Sequence, residues 1–568
     1  MIKSYITLAL RNLVRNKLSS IINLVGLATA IGCSVVIFAF VHYLYNQDSF
    51  HENADAIFMV ENEIELGGET KLWALAPAPL APALKADFPQ VKYAVRIENE
   101  YATAAFRYRD KVFKENFFYV DPEFLEMFTF RLKHGVKTAL RQKNNIVLSD
   151  ETAKKYFGDI NPVGEQMALK YPNRPAETVT VAGVVEAFPA NSSLRFCILM
   201  SYEKRRDFGH EGLEDWGNFT RATFIQLNAP DEIAAISGQV EHYIQAQNEA
   251  RIDWHIRRML FEPLSKAAIN AYRVNGALLQ GAPPAGAVAM GFMMISLLSL
   301  ACFNYMNIAI GTATRRLKEI GLRKVVGGTR ANLVKQFLSE NIVLCLIALC
   351  MGVVLAQAVF LPGLNSVMSN FGLRIPLTLL DNLPMWYYLG ALLLLTGIGA
   401  GLYPALYISK FKPVAIFQGK QRLGGRNLFT RLLLTAQFVF SFMTIFAGFT
   451  VNQNVAYQRS RDWGYNQAQT IVIPLDEEGE FEKLKNIVGR NSNVVRVAGS
   501  VNHIGANSNS GLVKVDGKKY DVRRFQVGYD YPETMGMRLA EGRFFDRAMI
   551  TDLDEAILVN KTFAREAN

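Results

Sequence analysis

RRLKEIGLRKVVGGTRANLVKQF, residues 315–337, is the stretch that decides how this chain is built. It holds seven basic residues (Arg315, Arg316, Lys318, Arg323, Lys324, Arg330, Lys335) against one acid, Glu319. It is patterned for helix, broken once at Gly327-Gly328, and set between two long apolar runs. On a helix, Arg316, Glu319 and Arg323 share one side, and Glu319 stands four residues before Arg323 in the favourable order for an ion pair. Leu317, Ile320, Leu322, Val325 and Val326 cover most of the remainder. Glycine accepts the left-handed backbone of a C-terminal cap, so Gly327-Gly328 should end that helix. Thr329 should then N-cap the next one, which runs through Leu333 and Phe337. The spacing predicts a short helix over 316–326, stiffly joined to an apolar segment. Periodicity alone leaves two readings open: a helix that passes on force, or an amphipathic loop lying on a surface.

Five runs are free of Asp, Glu, Lys and Arg: 19–45, 285–311, 342–361, 386–408 and 432–451. At 1.5 Å per residue each can cross a hydrocarbon core of about 30 Å. Half of the 568 residues are hydrophobic and the mean hydropathy is +0.10. The net charge of +10 is unevenly placed. Residues 1–17 contribute Lys3, Arg11, Arg15 and Lys17 with no acid. Residues 409–431 contribute Lys410, Lys412, Lys420, Arg422, Arg426 and Arg431, again with no acid. Together with 315–337 these segments outweigh the net charge, so the rest of the chain is net acidic. All three fall on one side of alternating spans, which is the positive-inside pattern and puts the N-terminus in the cytoplasm. This distribution argues against nucleic acid as a partner.

The expected architecture is a membrane α-helical bundle of five transmembrane helices carrying α+β extracytoplasmic domains. In order, the segments are a cytoplasmic interfacial helix (1–18), a span (19–45), a first external domain (46–284), a span (285–311), a cytoplasmic loop (312–341), a span (342–361), a short external loop (362–385), a span (386–408), a cytoplasmic linker (409–431), a fifth span (432–451) and a second external region (452–568). Ile2, Ile6, Ala9 and Leu13 track one face of the first segment and Lys3, Arg11 and Arg15 another, as in a helix lying on a membrane surface. AIGC at 30–33 resembles a lipoprotein cleavage box, but the apolar run continues past Cys33, which favours a retained span. In the first external region ATAAFRYRD, KVFKENFFYV, ETVTVAGVVEAF and ATFIQLNA read as strands, and SDETAKKYF reads as a helix capped by Ser149. Cys197 is the one cysteine outside the spans, so no disulfide framework follows.

An internal repeat is visible. VDPEFLEMFTFRLKHG (120–135) matches VGYDYPETMGMRLAEG (527–542), and NIVLSDETAKKYFG (145–158) matches AILVNKTFAREAN (556–568). The first pair member follows span one and the second follows span five, so the chain starts one architecture twice.

Chemistry-bearing motifs are absent from the sequence. There is no GxxxxGK[ST] loop to cradle phosphate, so any use of ATP and Mg requires a partner. GIGAG at 397–401 lies inside a span, where glycine serves close helix packing. HENAD at 51–55 lacks the zinc-site pattern, and no nucleophile–base pair or metal-ligand spacing can be identified. Asn304, Tyr305 and Asn307 are the polar exceptions in the second span, suited to bonding between helices.

RRLKEIGLRKVVGGTRANLVKQFLSE resembles the cytoplasmic loop of FtsX/MacB-type ABC permeases, the mechanotransmitter type. ALRNLVRNKLSSIINLVGLATAIG with DSFHENADAIFMV is similar to their opening, AGLYPALYISKFKPVAIFQGK to their fourth span and its exit, and IVLSDETAKKYFGDINPVGEQM to the MacB periplasmic core. The nearest likeness is to the double-length form of Bacteroidetes-like bacteria, which on the repeat logic would run to about 750–800 residues. The resemblance implies that this chain stops before its last three spans.

It also implies a separate ABC ATPase, homodimeric, docking on Glu319, Ile320, Leu322, Arg323, Lys324 and Val325, with Gly327 and Gly328 as a hinge. The expected location is the bacterial inner membrane with large periplasmic domains. The expected role is transmission of ATP-driven movement to those domains, for export or extraction of peptides, antibiotics or lipoproteins, with a periplasmic adaptor or outer-membrane partner. Two other readings are a signalling scaffold that activates a periplasmic enzyme such as a cell-wall hydrolase, and an inactive truncated remnant. No cofactor is expected on the chain itself, and no catalytic or metal-binding residue.

Overall fold

Five charge-poor runs become five long helices: Lys17–Tyr45, Pro284–Val325, Arg330–Leu355, Leu383–Ser409 and Leu428–Ser460. In hydrocarbon a backbone amide has no water to bond, so helix is the structure that satisfies it within one segment. The computed structural model describes residues 11, 17–66, 69–99, 104–171, 174–209, 212–252, 254–279, 281, 283–369, 374–377, 382–410, 428–475, 478–506 and 509–567. The interfacial helix expected over 2–17 lies outside these residues apart from Arg11 and Lys17, as does most of the linker 409–431.

The helices outrun the apolar runs. The third span helix starts at Arg330, passes through a π-helical turn at Ala356–Phe360, and continues as Leu361–Met368. Pro362 lacks the N–H that an α-helical bond would need here, and the N–H of Leu361 reaches back five residues to the Ala356 carbonyl. So the region read as an external loop from 362 begins as helix.

The first, third and fourth span helices share a core of Leu27, Ile31, Val35, Leu344, Cys345, Ala348, Met385, Leu389 and Leu392. Glycines set the closest crossing. A Cβ on Gly352 would fall 2.8 Å from Ile31 Cγ2 and 2.9 Å from the Ala28 carbonyl, and one on Gly32 would fall 2.9 Å from the Gly352 carbonyl. Two glycines of GIGAG do the same against the third helix: Gly397 faces Ile342 and Gly401 faces Asn341, whose Nδ2 donates to the Gly397 carbonyl. Between the second and fifth helices, Asn307 Nδ2 donates to Gln437 Oε1 at 3.1 Å.

Residues 47–282 fold separately around one mixed sheet. Its order is Val274–Asn275, Glu69–Trp73, Ile57–Leu66, Ala222–Leu227, Val91–Glu98, Phe117–Val120, Ile198–Ser201, Asn145–Ser149, Glu177–Val185, Gln166–Lys170, Ala104–Tyr108 and Lys111–Glu115. Two more strands attach beside this path, His255–Pro263 on Ile57–Leu66 and Leu132–Gly135 on Glu177–Val185. Parallel pairs occur between Asn145–Ser149 and Glu177–Val185 and between Phe117–Val120 and Ile198–Ser201. Helices cover the faces, giving the α+β class.

The helix Asp150–Phe157 is capped as its sequence predicts: Ser149 Oγ accepts the Thr152 N–H at 3.2 Å. A buried ion pair ties two strands together. Asp121 accepts from Arg96 N, Nε and Nη2 at 2.7, 2.9 and 2.8 Å, while the guanidinium lies 3.9 Å over the Tyr202 ring.

The repeat read from sequence has a geometric counterpart. The helix Phe124–Met127 matches the helix Tyr531–Thr534 position for position, and Gly135 and Gly542 share a left-handed backbone at φ +91° and +85°. Ser149 corresponds to Asn560, and Asn560 Oδ1 accepts the Phe563 N–H at 2.8 Å, the same cap. One difference stands out. Ile146, Val147 and Leu148 are fully buried in the first sheet, whereas their counterparts Ile557, Leu558 and Val559 are 77%, 40% and 50% exposed.

Candidate functional site

Gly311 through Lys324 contains no proline, and Gly311 is the only glycine before Gly321, so nothing stops the helical hydrogen bonds at the end of the second span. The separate short helix expected over 316–326 is therefore one with that span: a single helix of 42 residues from Pro284 to Val325. Residues 313–325 carry it about 20 Å beyond the apolar segment that ends at Thr312.

The helix stops as its glycines dictate. Gly327 takes φ +97°, the Gly328 N–H reaches the Arg323 carbonyl at 2.8 Å, and the Gly327 N–H reaches the Lys324 carbonyl at 3.2 Å. This pair of bonds is a Schellman cap. Thr329 then starts the third span helix, its Oγ1 accepting the Asn332 N–H at 3.2 Å.

The elbow is fastened to the fourth span helix, whose end is 85 residues away in sequence. Ile320 is 3% exposed and packs with Leu333 and Ile408, flanked by Phe337 and Tyr407. Lys324 Nζ donates to the Ser409 carbonyl at 2.7 Å, and Arg330 Nε donates to Ser409 Oγ at 3.2 Å. A cation on the last carbonyls of a helix also complements its dipole. Burial first, and the neighbouring Arg330 second, hold the Lys324 ammonium below its ordinary pKa. Arg323 Nη1 donates to Gln336 Oε1, and Gln336 Nε2 passes on to Glu340 Oε1 at 2.9 Å.

The six residues expected to contact a partner thus separate. Ile320 is an internal anchor, not a free contact surface. Arg323 and Lys324 are half-buried and bonded within the bundle. Leu322 and Val325 are exposed, at 59% and 65%, and Val326, which the sequence reading left out of the contact set, is 79% exposed. At spacings of three and four these three share one helix face. The side chain of Glu319, and so its pairing with Arg323, lies outside the described residues. Ser409, Ile408 and Gln336 were missed by sequence reasoning. The signal for Ser409 was slight: a helix end that needs donors for its last carbonyls, facing a segment rich in them.

Comparison with known proteins places this elbow in a family region. Residues 20–243 match the MacB-like periplasmic core domain, and residues 291–413 match the FtsX-like permease C-terminal region. The chain carries both parts of an FtsX/MacB-type permease. Its external domain is accordingly periplasmic, and the elbow falls inside the FtsX-like region.

Among curated relatives, the permease is 27% identical over 269 residues to the macrolide export ATP-binding/permease protein MacB of Vibrio parahaemolyticus, covering 47% of this chain and 36% of that one. It is 33% identical over 133 residues to the protein of that name from Neisseria meningitidis serogroup A, covering 23% and 19%. The chain therefore spans well under half the length of these relatives. Among solved structures, a domain of a putative permease from Porphyromonas gingivalis matches at 21% identity and TM-score 0.32, covering 38% of this chain and 91% of that one. The periplasmic region of MacB from Actinobacillus actinomycetemcomitans matches at 11% identity and TM-score 0.27, covering 39% and 94%.

Proposed function

We propose that this permease is the membrane subunit of an ABC transporter, driven by a separate ATPase that docks on the exposed face of Leu322, Val325 and Val326. The observation that carries the reading is the contrast along one helix. Ile320 is spent on holding the elbow to the bundle, while three large apolar residues beyond the span remain exposed. Apolar anchors of this kind dominate many interfaces, a few costing about 2 kcal/mol or more each on truncation. The relatives whose names join an ATP-binding part to a permease support an ATPase partner. In this reading the basic segments face the cytoplasm of a bacterial inner membrane, and ATP and Mg are held by the partner.

Movement of the elbow passes along the continuous helix to Pro284, where the periplasmic domain ends. The cargo class that fits such delivery of movement outside the bilayer is peptides, antibiotics or lipoproteins, handed to a periplasmic adaptor or an outer-membrane partner. A double-length plan is supported by the matched helices, caps and left-handed glycines of the two external regions. In that plan the exposed Ile557–Val559 segment is a core strand, as Ile146–Leu148 is in the first domain.

The test is co-expression of the full chain with each ABC ATPase of the source genome. Cysteine placed at Val326 should crosslink to one of them. Leu322→Asp with Val325→Asp should abolish stimulation of that ATPase without lowering the amount of permease in the membrane. Absence of any crosslink with well-expressed protein, or full stimulation by the double variant, overturns the docking. ATPase-dependent loss of a drug or peptide from intact cells then separates export from signalling to a periplasmic enzyme.

A further inference from the structure

A second feature of the periplasmic domain is unrelated to the elbow. Strands Ile57–Leu66 and His255–Pro263 run antiparallel, with Glu61 opposite Leu260 and Glu262 opposite Met59. Glu61 and Glu262 are therefore diagonal neighbours on one face of the sheet. That face is covered by the helix Leu264–Asn270, whose Leu264, Ala267 and Ala268 join Met59 in the core. Glu61 is 3% exposed, and its Oε1 has no hydrogen-bond donor among the described residues. Glu262 accepts Asn270 Nδ2 at 2.7 Å, so the second carboxylate is tied to the last residue of the covering helix.

The surrounding charges do not neutralise the pair. Arg258 stands across from Glu63 on the same face but is exposed, and Lys266 and Arg273, from the covering helix and the turn after it, are exposed as well. Gln226, opposite Ile57 on the other neighbouring strand, is neutral. An ionised Glu61 would be a buried charge beside a like charge, with an unpaired oxygen, an arrangement that costs several kcal/mol. A carboxylic acid so placed keeps its proton instead.

We propose that Glu61 binds a proton beside the carboxylate of Glu262, and that loss of this proton loosens the helix Leu264–Asn270 and the segment that leads from it to the second span. The chain order gives this consequence: Leu279, in the same core, is the last described buried residue before the span helix begins at Pro284. Burial first, and Glu262 second, push the Glu61 carboxyl up to about 7, consistent with a transition near neutral pH. The sign follows. A carboxyl raised in the folded state is stable when protonated, so stability declines as pH rises from the unfolded value toward the folded one and is lost above it.

The experiment uses the full chain in nanodiscs. Hydrogen exchange of amides 264–279, corrected for intrinsic rates, is followed from about pH 6 to about pH 8.5 in the wild type, in Glu61→Gln and in Glu262→Gln. The wild type should lose protection on the order of tenfold across this range, Glu61→Gln should keep one value throughout, and Glu262→Gln should move the transition to lower pH and shrink it by removing the like charge that opposes ionisation. Followed in an Asp48→Asn background, which removes the other raised carboxyl, an infrared band of a protonated carboxyl, present at the low-pH end and missing when Glu61→Gln is added, reports the proton directly and does not depend on helix loosening. Wild-type protection that is constant with pH, or a fall of the same size in Glu61→Gln, overturns the proposal. If Glu61→Gln does not fold, the band's loss with rising pH in the wild type and its shift in Glu262→Gln decide the matter.

Discussion

Replacing Ile320 by alanine tests whether the elbow is held by its own bundle. Ile320 is buried against Leu333 and Ile408, with Phe337 and Tyr407 at the edge of the cluster. Isoleucine-to-alanine changes in cores cost about 2–5 kcal/mol, and a cluster this small can collapse in part, so the lower end applies, about 2–3 kcal/mol. With tenfold per 1.4 kcal/mol, local opening at residues 320–328 should become roughly 30- to 100-fold more frequent. Hydrogen exchange on the full chain in nanodiscs reads this. Leu322→Ala is the matched control. Leu322 is two residues away on the exposed side, and its truncation should change protection by about 0.5 kcal/mol or less. Equal effects from the two variants, or less than about a threefold change for Ile320→Ala, would refute the division of the helix into an anchored face and a docking face.

Three further outcomes are expected. Gly352→Val should destabilise the crossing of the first and third span helices, since even a Cβ would fall 2.8 Å from Ile31, and it should lower the thermal midpoint of the detergent-solubilised protein more than Gly363→Val, where no atom lies within 4 Å. Asp121→Asn leaves the Arg96 guanidinium buried without its counter-charge and should cost about 3–5 kcal/mol, most of it recovered if Arg96 is replaced by methionine in the same chain, as measured by chemical unfolding. Asp48 is buried, which pushes its carboxyl up to about 6 while bonds from Ser193 pull it back. Its folded value lies above its unfolded one, so its own contribution to stability should fall by about 3 kcal/mol as pH climbs from about 4 to about 6 and stay level above that. Asp48→Asn should remove this share of the slope in a pH series of melting curves and leave the share of Glu61.

The five spans were legible because a hydrocarbon core forbids charge over about 20 residues, and that constraint is written in consecutive letters. Their ends were not. A helix continues into polar sequence as long as nothing breaks its hydrogen bonds, so the reader who stops at Gly311 or Leu361 stops where the apolar letters stop, not where the helix does. Local signals fared well: Ser149, Thr329 and Gly327 each act through neighbours within five residues. The elbow's fastening was invisible because Ser409, Ile408 and Leu333 come from distant places, and nothing in a serine at a helix end announces a lysine 85 residues earlier. The order of the large sheet was hidden for the same reason. The strands could be picked out one by one, but which edge of Ile57–Leu66 takes His255–Pro263 depends on contacts nearly 200 residues apart.

The unbroken helix from Pro284 to Val325 has the proportions of a beam resting on an off-centre pivot. Its polar contact with the fifth span, at Asn307, lies about 35 Å from the Pro284 end and about 27 Å from the Val325 end. A tilt about that point swings the two ends in opposite directions, and the Pro284 end travels roughly 1.3 times as far as the Val325 end. Under the proposed function, a small nudge at one tip would be returned at the other reversed and slightly enlarged, with no break in the helix between them to absorb it.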